Sequence, residues 1–114
     1  MKNPLVVAGL CEMATGLTLL IVPSLVGQLL LGEDLTGVAV PVARVTGIAL
    51  LALGTACWPG PAVLGISTYS GLVTLYLAYL GIVGQFAGAL LWPAVAVHLV
   101  LTIVLVLNLA RRAE

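Results

Sequence analysis

PVARVTGIALLALG, residues 41–54, decides how this chain folds, because it sets a permanently charged arginine, Arg44, inside a run of apolar and small side chains. Read outward, the run extends over residues 38–57. That is close to the roughly 20 residues a helix needs to cross about 30 Å of hydrocarbon at 1.5 Å per residue. The rest of the chain has the same character. Of its 114 residues 62% are hydrophobic and 7% charged, and the mean hydropathy is +1.28. A soluble domain carries roughly 25% charged residues to cover its surface, so this surface faces something other than water.

Four apolar segments follow, at residues 5–22, 38–57, 62–83 and 88–110. The breaks between them agree. PSLVGQLLLGEDLTG (residues 23–37) opens with proline, carries Glu33 and Asp34, and is amphipathic enough for a short helix lying at the interface. WPGP (58–61) cannot continue a helix and sets a tryptophan at headgroup depth. GQFAG (84–88) is a weaker break that predicts a tight hairpin; it matches Gly-x-x-x-Gly by letter only, since it falls at a turn. Lys2 ahead of an apolar run also fits a cleaved signal peptide, but the run is long for one, holds Glu12 and lacks a small-x-small cleavage site. The expected fold is therefore all-α: an integral membrane four-helix bundle, one domain over residues 1–114, with a short interfacial amphipathic helix after the first span.

Lys2, Arg111 and Arg112 lie at the two termini, and four spans put both termini on one side. By the bias of basic residues, that side is cytoplasmic. A formal net charge of zero argues against a nucleic-acid role.

Measured from span midpoints at the helical rise, Glu12, Arg44, Tyr76 and His98 all fall within roughly 6 Å of the bilayer centre. Each helix contributes one polar group to this layer, and these four are the candidate binding residues. A lone charge at that depth costs about 2.5–3.5 kcal/mol on insertion scales, so such groups face the interior and pair. Arg44 is expected to pair with Glu12, the other formal charge there, across an estimated offset of about 5–8 Å. Gly9, Glu12 and Gly16 make one stripe at i, i+3 and i+7, and Ala43 and Gly47 make a small-xxx-small pair beside Arg44, so close approach of the two helices is expected. An ion pair of this kind either locks two helices in register or serves a site. His98 is expected to be neutral and satisfied by Thr102 or Tyr76, and Tyr69, Tyr76 and Tyr79 to form a packing stripe.

Cys11 and Cys57 differ in estimated depth by about 10 Å, beyond disulfide reach, and are expected as free thiols. Without a Cys-x-x-Cys pair, a thioredoxin-like or vitamin K reductase-like redox role has no support. One histidine with scattered carboxylates does not make a protein metal site, although a single axial histidine for haem stays open. No Walker motif, Gly-x-Ser-x-Gly elbow or His-Glu-x-x-His pattern is present, and no catalytic residue is assigned. Channels and transporters carry polar faces along several helices or inverted repeats, whereas the polar residues here cluster at one depth. Small multidrug exporters share the length and a glutamate in the first span, but their surrounding tryptophan and tyrosine pattern is missing, and Arg44 would neutralise the site.

The pattern Glu12…Gly16…Pro23…LLLG (29–32), then Arg44…Gly47…Gly54, resembles the small four-span bacterial membrane proteins grouped as DoxX-like. In these a first helix ends in proline, an amphipathic segment ends in Leu-Gly and the second helix carries Arg-x-x-Gly. The resemblance covers the first half of the chain. It implies a four-helix bundle in a bacterial cytoplasmic membrane, and some relatives are subunits of quinone-linked oxidoreductases. A more remote likeness is to sterol isomerase-type bundles, from which this chain departs in having only Glu12 and His98 for such a site.

Two functions are expected from these readings. In the first, the chain is a non-enzymatic accessory or stabilising subunit, its partners being the lipid bilayer and other membrane protein subunits. In the alternative, it is a binding protein or enzyme for a lipid-like molecule, a quinone, isoprenoid or sterol, whose head meets Glu12, Arg44, Tyr76 and His98. No cofactor is identified.

Overall fold

The computed structural model describes residues 3–58, 62–84 and 86–113. All regular structure among them is helical: α1 (Asn3–Ile21), α2 (Pro23–Val26) running into a π turn (Gly27–Leu31), α3 (Ala39–Ala56), α4 (Val63–Val83) and α5 (Leu91–Ala113). Four stretches are long and apolar enough to cross a membrane: Pro4–Ile21, Ala39–Ala56, Val63–Val83 and Leu91–Arg111. At the helical rise they reach about 27–32 Å. The protein is an integral membrane protein of all-α class, consistent with a helix bundle.

Two further observations fit a lipid surround. Large apolar side chains are widely exposed, Leu29, Leu75, Ile82 and Leu90 among them, which a soluble monomer does not tolerate on this scale. The hydroxyls of Thr15, Thr18, Thr46, Thr55, Thr68, Thr74 and Thr102 each donate to the carbonyl four residues earlier, at 2.6–2.9 Å. Hydrocarbon offers a hydroxyl no partner, so each helix supplies one from its own backbone.

The spans begin and end within about three residues of the sequence reading. The largest difference is the fourth, expected from residue 88 and observed from Leu91. Gly84, at φ 78°, caps α4, and the Leu91 N–H closes a turn on the Gly88 carbonyl at 3.1 Å, so the link is longer than the tight hairpin expected. Residues 59–61 of WPGP and Gln85 of GQFAG lie outside the described residues. The expected interfacial helix is shorter than residues 23–37. It starts at Pro23, after Val22 leaves helical geometry, and stops at Gly32, where φ is 82°. Its return leg is tied back: the Ser24 hydroxyl donates to the Leu35 carbonyl at 3.1 Å, and the Gln28 amide donates to Asp34.

The chain divides into two compact units, Met1–Gly60 and Pro61–Glu114. In the first, α1 and α3 pack antiparallel with backbones in near contact. A Cβ added to Gly16 would lie 2.5 Å from the Gly47 carbonyl oxygen, and one added to Gly47 would lie 2.5 Å from that of Gly16. One helical stretch away, a Cβ on Gly54 would lie 2.6 Å from the Gly9 carbonyl oxygen. Two glycines seven residues apart on each helix therefore face each other in order, Gly16 to Gly47 and Gly9 to Gly54. Small residues permit this approach, and dispersion between close backbones drives association where lipid removes the hydrophobic incentive. Leu19, Ala43, Ile48 and Ala52 fill the core of this unit.

In the second unit α4 packs on α5. The indole of Trp92 covers Gly81, where a Cβ would come within 2.5 Å of the ring, and Thr102 faces Gly71 more loosely, at 3.7 Å. Ser67, Ser70, Val73, Thr74, Leu80 and Val95 are its buried side chains.

Candidate functional site

The glycine register fixes where the two expected partners of the first unit stand. With Gly16 opposite Gly47 and Gly9 opposite Gly54, Glu12 is level with Leu51, and Arg44 with Leu19. Seven residues separate the two levels, about 10 Å along the axis at the helical rise. Helical Cα–Cβ bonds also tilt toward each helix's own N-terminus, and in an antiparallel pair those ends are opposite, so the two side chains start away from one another. Glu12 and Arg44 accordingly form no ion pair, and the Arg44 guanidinium makes no hydrogen bond among the described residues. The expected lock between the first two helices is made by glycine contacts instead.

Arg44 is nonetheless turned inward. It is half-buried, and the residues three or four positions away on the same face, Pro41, Gly47 and Ile48, are buried. Its Nε is fully buried and has no acceptor. Buried polar groups are almost always satisfied, and a guanidinium only donates, so this donor lacks the acceptor that such a group ordinarily has. Glu12 is half-buried beside the contact stripe. A cavity of about 450 Å³ in this unit is lined by Leu19, Gly27, Leu30, Leu35, Val42, Ala43 and Leu50. Neither Glu12 nor Arg44 lines it.

In the second unit, His98 Nδ1 lies 2.8 Å from the Ala94 carbonyl oxygen. A carbonyl only accepts, so Nδ1 carries a proton in this bond. Thr102 was the expected partner of the ring, but its hydroxyl donates to the His98 backbone carbonyl at 2.6 Å. The aromatic neighbour is Tyr69 rather than Tyr76, edge-on with ring centroids 6.2 Å apart. Tyr76 stacks on Tyr79 at 6.3 Å, as a packing stripe would, yet its hydroxyl is buried with no partner. Ser67 Oγ, which the sequence did not single out, is buried and unpartnered too.

Cys11 is exposed, Cys57 is half-buried, and both are free thiols. No group of three or more histidine, cysteine, aspartate or glutamate side chains stands together among the described residues. Comparison with protein-family models, with curated proteins and with solved structures finds no match for this chain.

Proposed function

We propose that this integral membrane protein binds a lipid-like molecule, a quinone, isoprenoid or sterol, whose polar head accepts hydrogen bonds from Arg44. The observation that carries the reading is the buried Nε of Arg44 without an acceptor. A charge left alone within a span costs about 2.5–3.5 kcal/mol on insertion scales, and hydrogen bonds to a charged donor return about 1.5–3 kcal/mol. A ligand entering from the bilayer brings its own acceptor, and no route through water is needed. Glu12, about 10 Å away along the helix pair, is not assigned to the same head group.

The topology belongs to the same proposal: both termini on the cytoplasmic face of a bacterial membrane, supported by Lys2, Arg111 and Arg112. The proposal retains the resemblance to the DoxX-like proteins, of whose motif positions Gly16, Gly47 and Gly54 make the helix contact of the first unit.

The test is mass-spectrometric identification of lipid-soluble molecules retained by wild-type and Arg44→Gln protein after gentle extraction from native membranes. The expected result is one discrete species near one per chain, retained about tenfold less by the variant. Equal retention by both proteins, or none by either, sinks the reading. Recovery of a stoichiometric partner chain that Arg44→Gln releases replaces it with the accessory-subunit function.

A further inference from the structure

The second unit holds a different feature, an open groove of about 530 Å³ along α4 and α5. Ser67, Gly71 and Leu75 line it from α4, and Leu99, Thr102 and Val106 from α5. None of Glu12, Arg44, Tyr76 or His98 takes part. The volume lies inside the roughly 300–1,000 Å³ span of small-molecule sites. Leu75, Leu99 and Val106 are 69%, 47% and 50% exposed, so the groove opens to the surroundings of the helix pair.

Its polar inventory is asymmetric. Thr68, Thr74 and Thr102 also border the groove, and each hydroxyl is already spent on the carbonyl four residues earlier. Ser67, 8% exposed, has a hydroxyl with no partner. One end of an otherwise apolar channel therefore holds a single hydrogen-bond donor without a partner, recessed in its wall. Ser67 stands four residues into α4, about 6 Å from the start of the helix, and the groove runs on to Leu75, about 12 Å deeper. Half of a bilayer's hydrocarbon core is about 15 Å. The donor thus lies about 6 Å inside the boundary where the ester carbonyls of glycerolipids begin, about 9 Å short of the mid-plane, and the apolar remainder runs through the rest of that leaflet to just past its centre. Gly71 keeps the channel floor open, since even an added Cβ there meets only the Thr102 methyl, at 3.7 Å.

We propose that this groove holds one acyl chain of a glycerophospholipid from the leaflet around the N-terminal half of α4, with Ser67 Oγ–H donating to its ester carbonyl. This is a site for a resident lipid and is independent of the Arg44 reading.

The test uses the full chain in vesicles of phosphatidylethanolamine and phosphatidylglycerol containing a phosphatidylglycerol with a diazirine midway along one acyl chain. After irradiation, labelled positions are mapped by peptide mass spectrometry. Gly71, Leu75, Leu99 and Thr102 are expected to label more heavily than Val100, Val104 and Leu107, which are exposed elsewhere on α5. Ser67→Ala is expected to lower groove labelling about fivefold, as loss of one neutral hydrogen bond would, with the other positions unchanged. Gly71→Leu, whose first side-chain atom fits without a clash, fills the channel and is expected to abolish groove labelling. Even labelling around α5 shows ordinary contact with bulk lipid and overturns the proposal. So does groove labelling indifferent to both variants, or labelling displaced by an unlabelled polyprenol but not by unlabelled phospholipid. Arg44→Gln leaves groove labelling unchanged, which separates this test from that of the ligand reading.

Discussion

Replacing Gly16 with alanine puts the packing of the first unit to a quantitative test. The new Cβ would lie 2.5 Å from the Gly47 carbonyl oxygen, 2.9 Å from the Leu51 nitrogen and 3.0 Å from the Leu50 Cβ. Two of these neighbours are backbone, so no side-chain rotation relieves the contact. To reach an ordinary separation the helices must part by roughly 1 Å, which forfeits a quarter to a half of the dispersion attraction along the contact. Overpacking of this kind costs about 1–3 kcal/mol. The usual gain of about 0.5–1 kcal/mol from replacing a helical glycine does not offset it, because the helices persist in lipid when the pair comes apart. Gly71→Ala is the control: its Cβ meets one methyl at 3.7 Å, and a change within about 0.5 kcal/mol is expected. Reversible unfolding of the purified protein in mixed micelles, read by steric trapping or denaturant titration, gives both values. If Gly16→Ala proves as stable as Gly71→Ala, the antiparallel glycine contact is wrong, and with it the register that separates Glu12 from Arg44.

Two further predictions follow from the site geometry. In a double-mutant cycle of Glu12→Gln and Arg44→Gln, measured by the same unfolding assay, the coupling energy is expected below about 0.5 kcal/mol, because the pair makes no contact; a coupling above 1.5 kcal/mol would restore the ion pair. For His98, nitrogen-15 chemical shifts of the ring in lipid bilayers are expected to show a protonated Nδ1, held by the Ala94 carbonyl; an Nδ1 without a proton would contradict the hydrogen bond described.

The membrane-spanning architecture was legible because composition and the length of apolar runs both answer to one constraint, the thickness of hydrocarbon. Gly9, Gly16, Ala43 and Gly47 were legible as contact positions for a similar reason, since only small residues bring two backbones together in lipid. The pairing of Glu12 with Arg44 was misread because depth alone aligns the midpoints of the two spans, whereas the glycine contacts stagger α1 against α3 by a few residues, and register is set by those contacts. The paired seven-residue spacings Gly9 to Gly16 and Gly47 to Gly54 held that register in the sequence.

The surroundings of His98 and Ser67 were hidden for a different reason. The ring of His98 bonds to a backbone carbonyl, and every residue type carries one, so no side-chain pattern announces Ala94. Ser67 reads like any hydroxyl residue of an apolar helix, most of which bond to their own backbone. Its free hydroxyl is visible only once the helix is built and the bond is seen to be missing.

The most direct measurement is an experimental structure of the protein purified together with its native lipids, at a resolution that defines the surroundings of the Arg44 guanidinium. The account predicts non-protein density there, with an acceptor atom about 3 Å from Nε and an apolar body extending between helices. The Glu12 carboxylate, or a side chain from another subunit, found bonded to Nε in its place would contradict it.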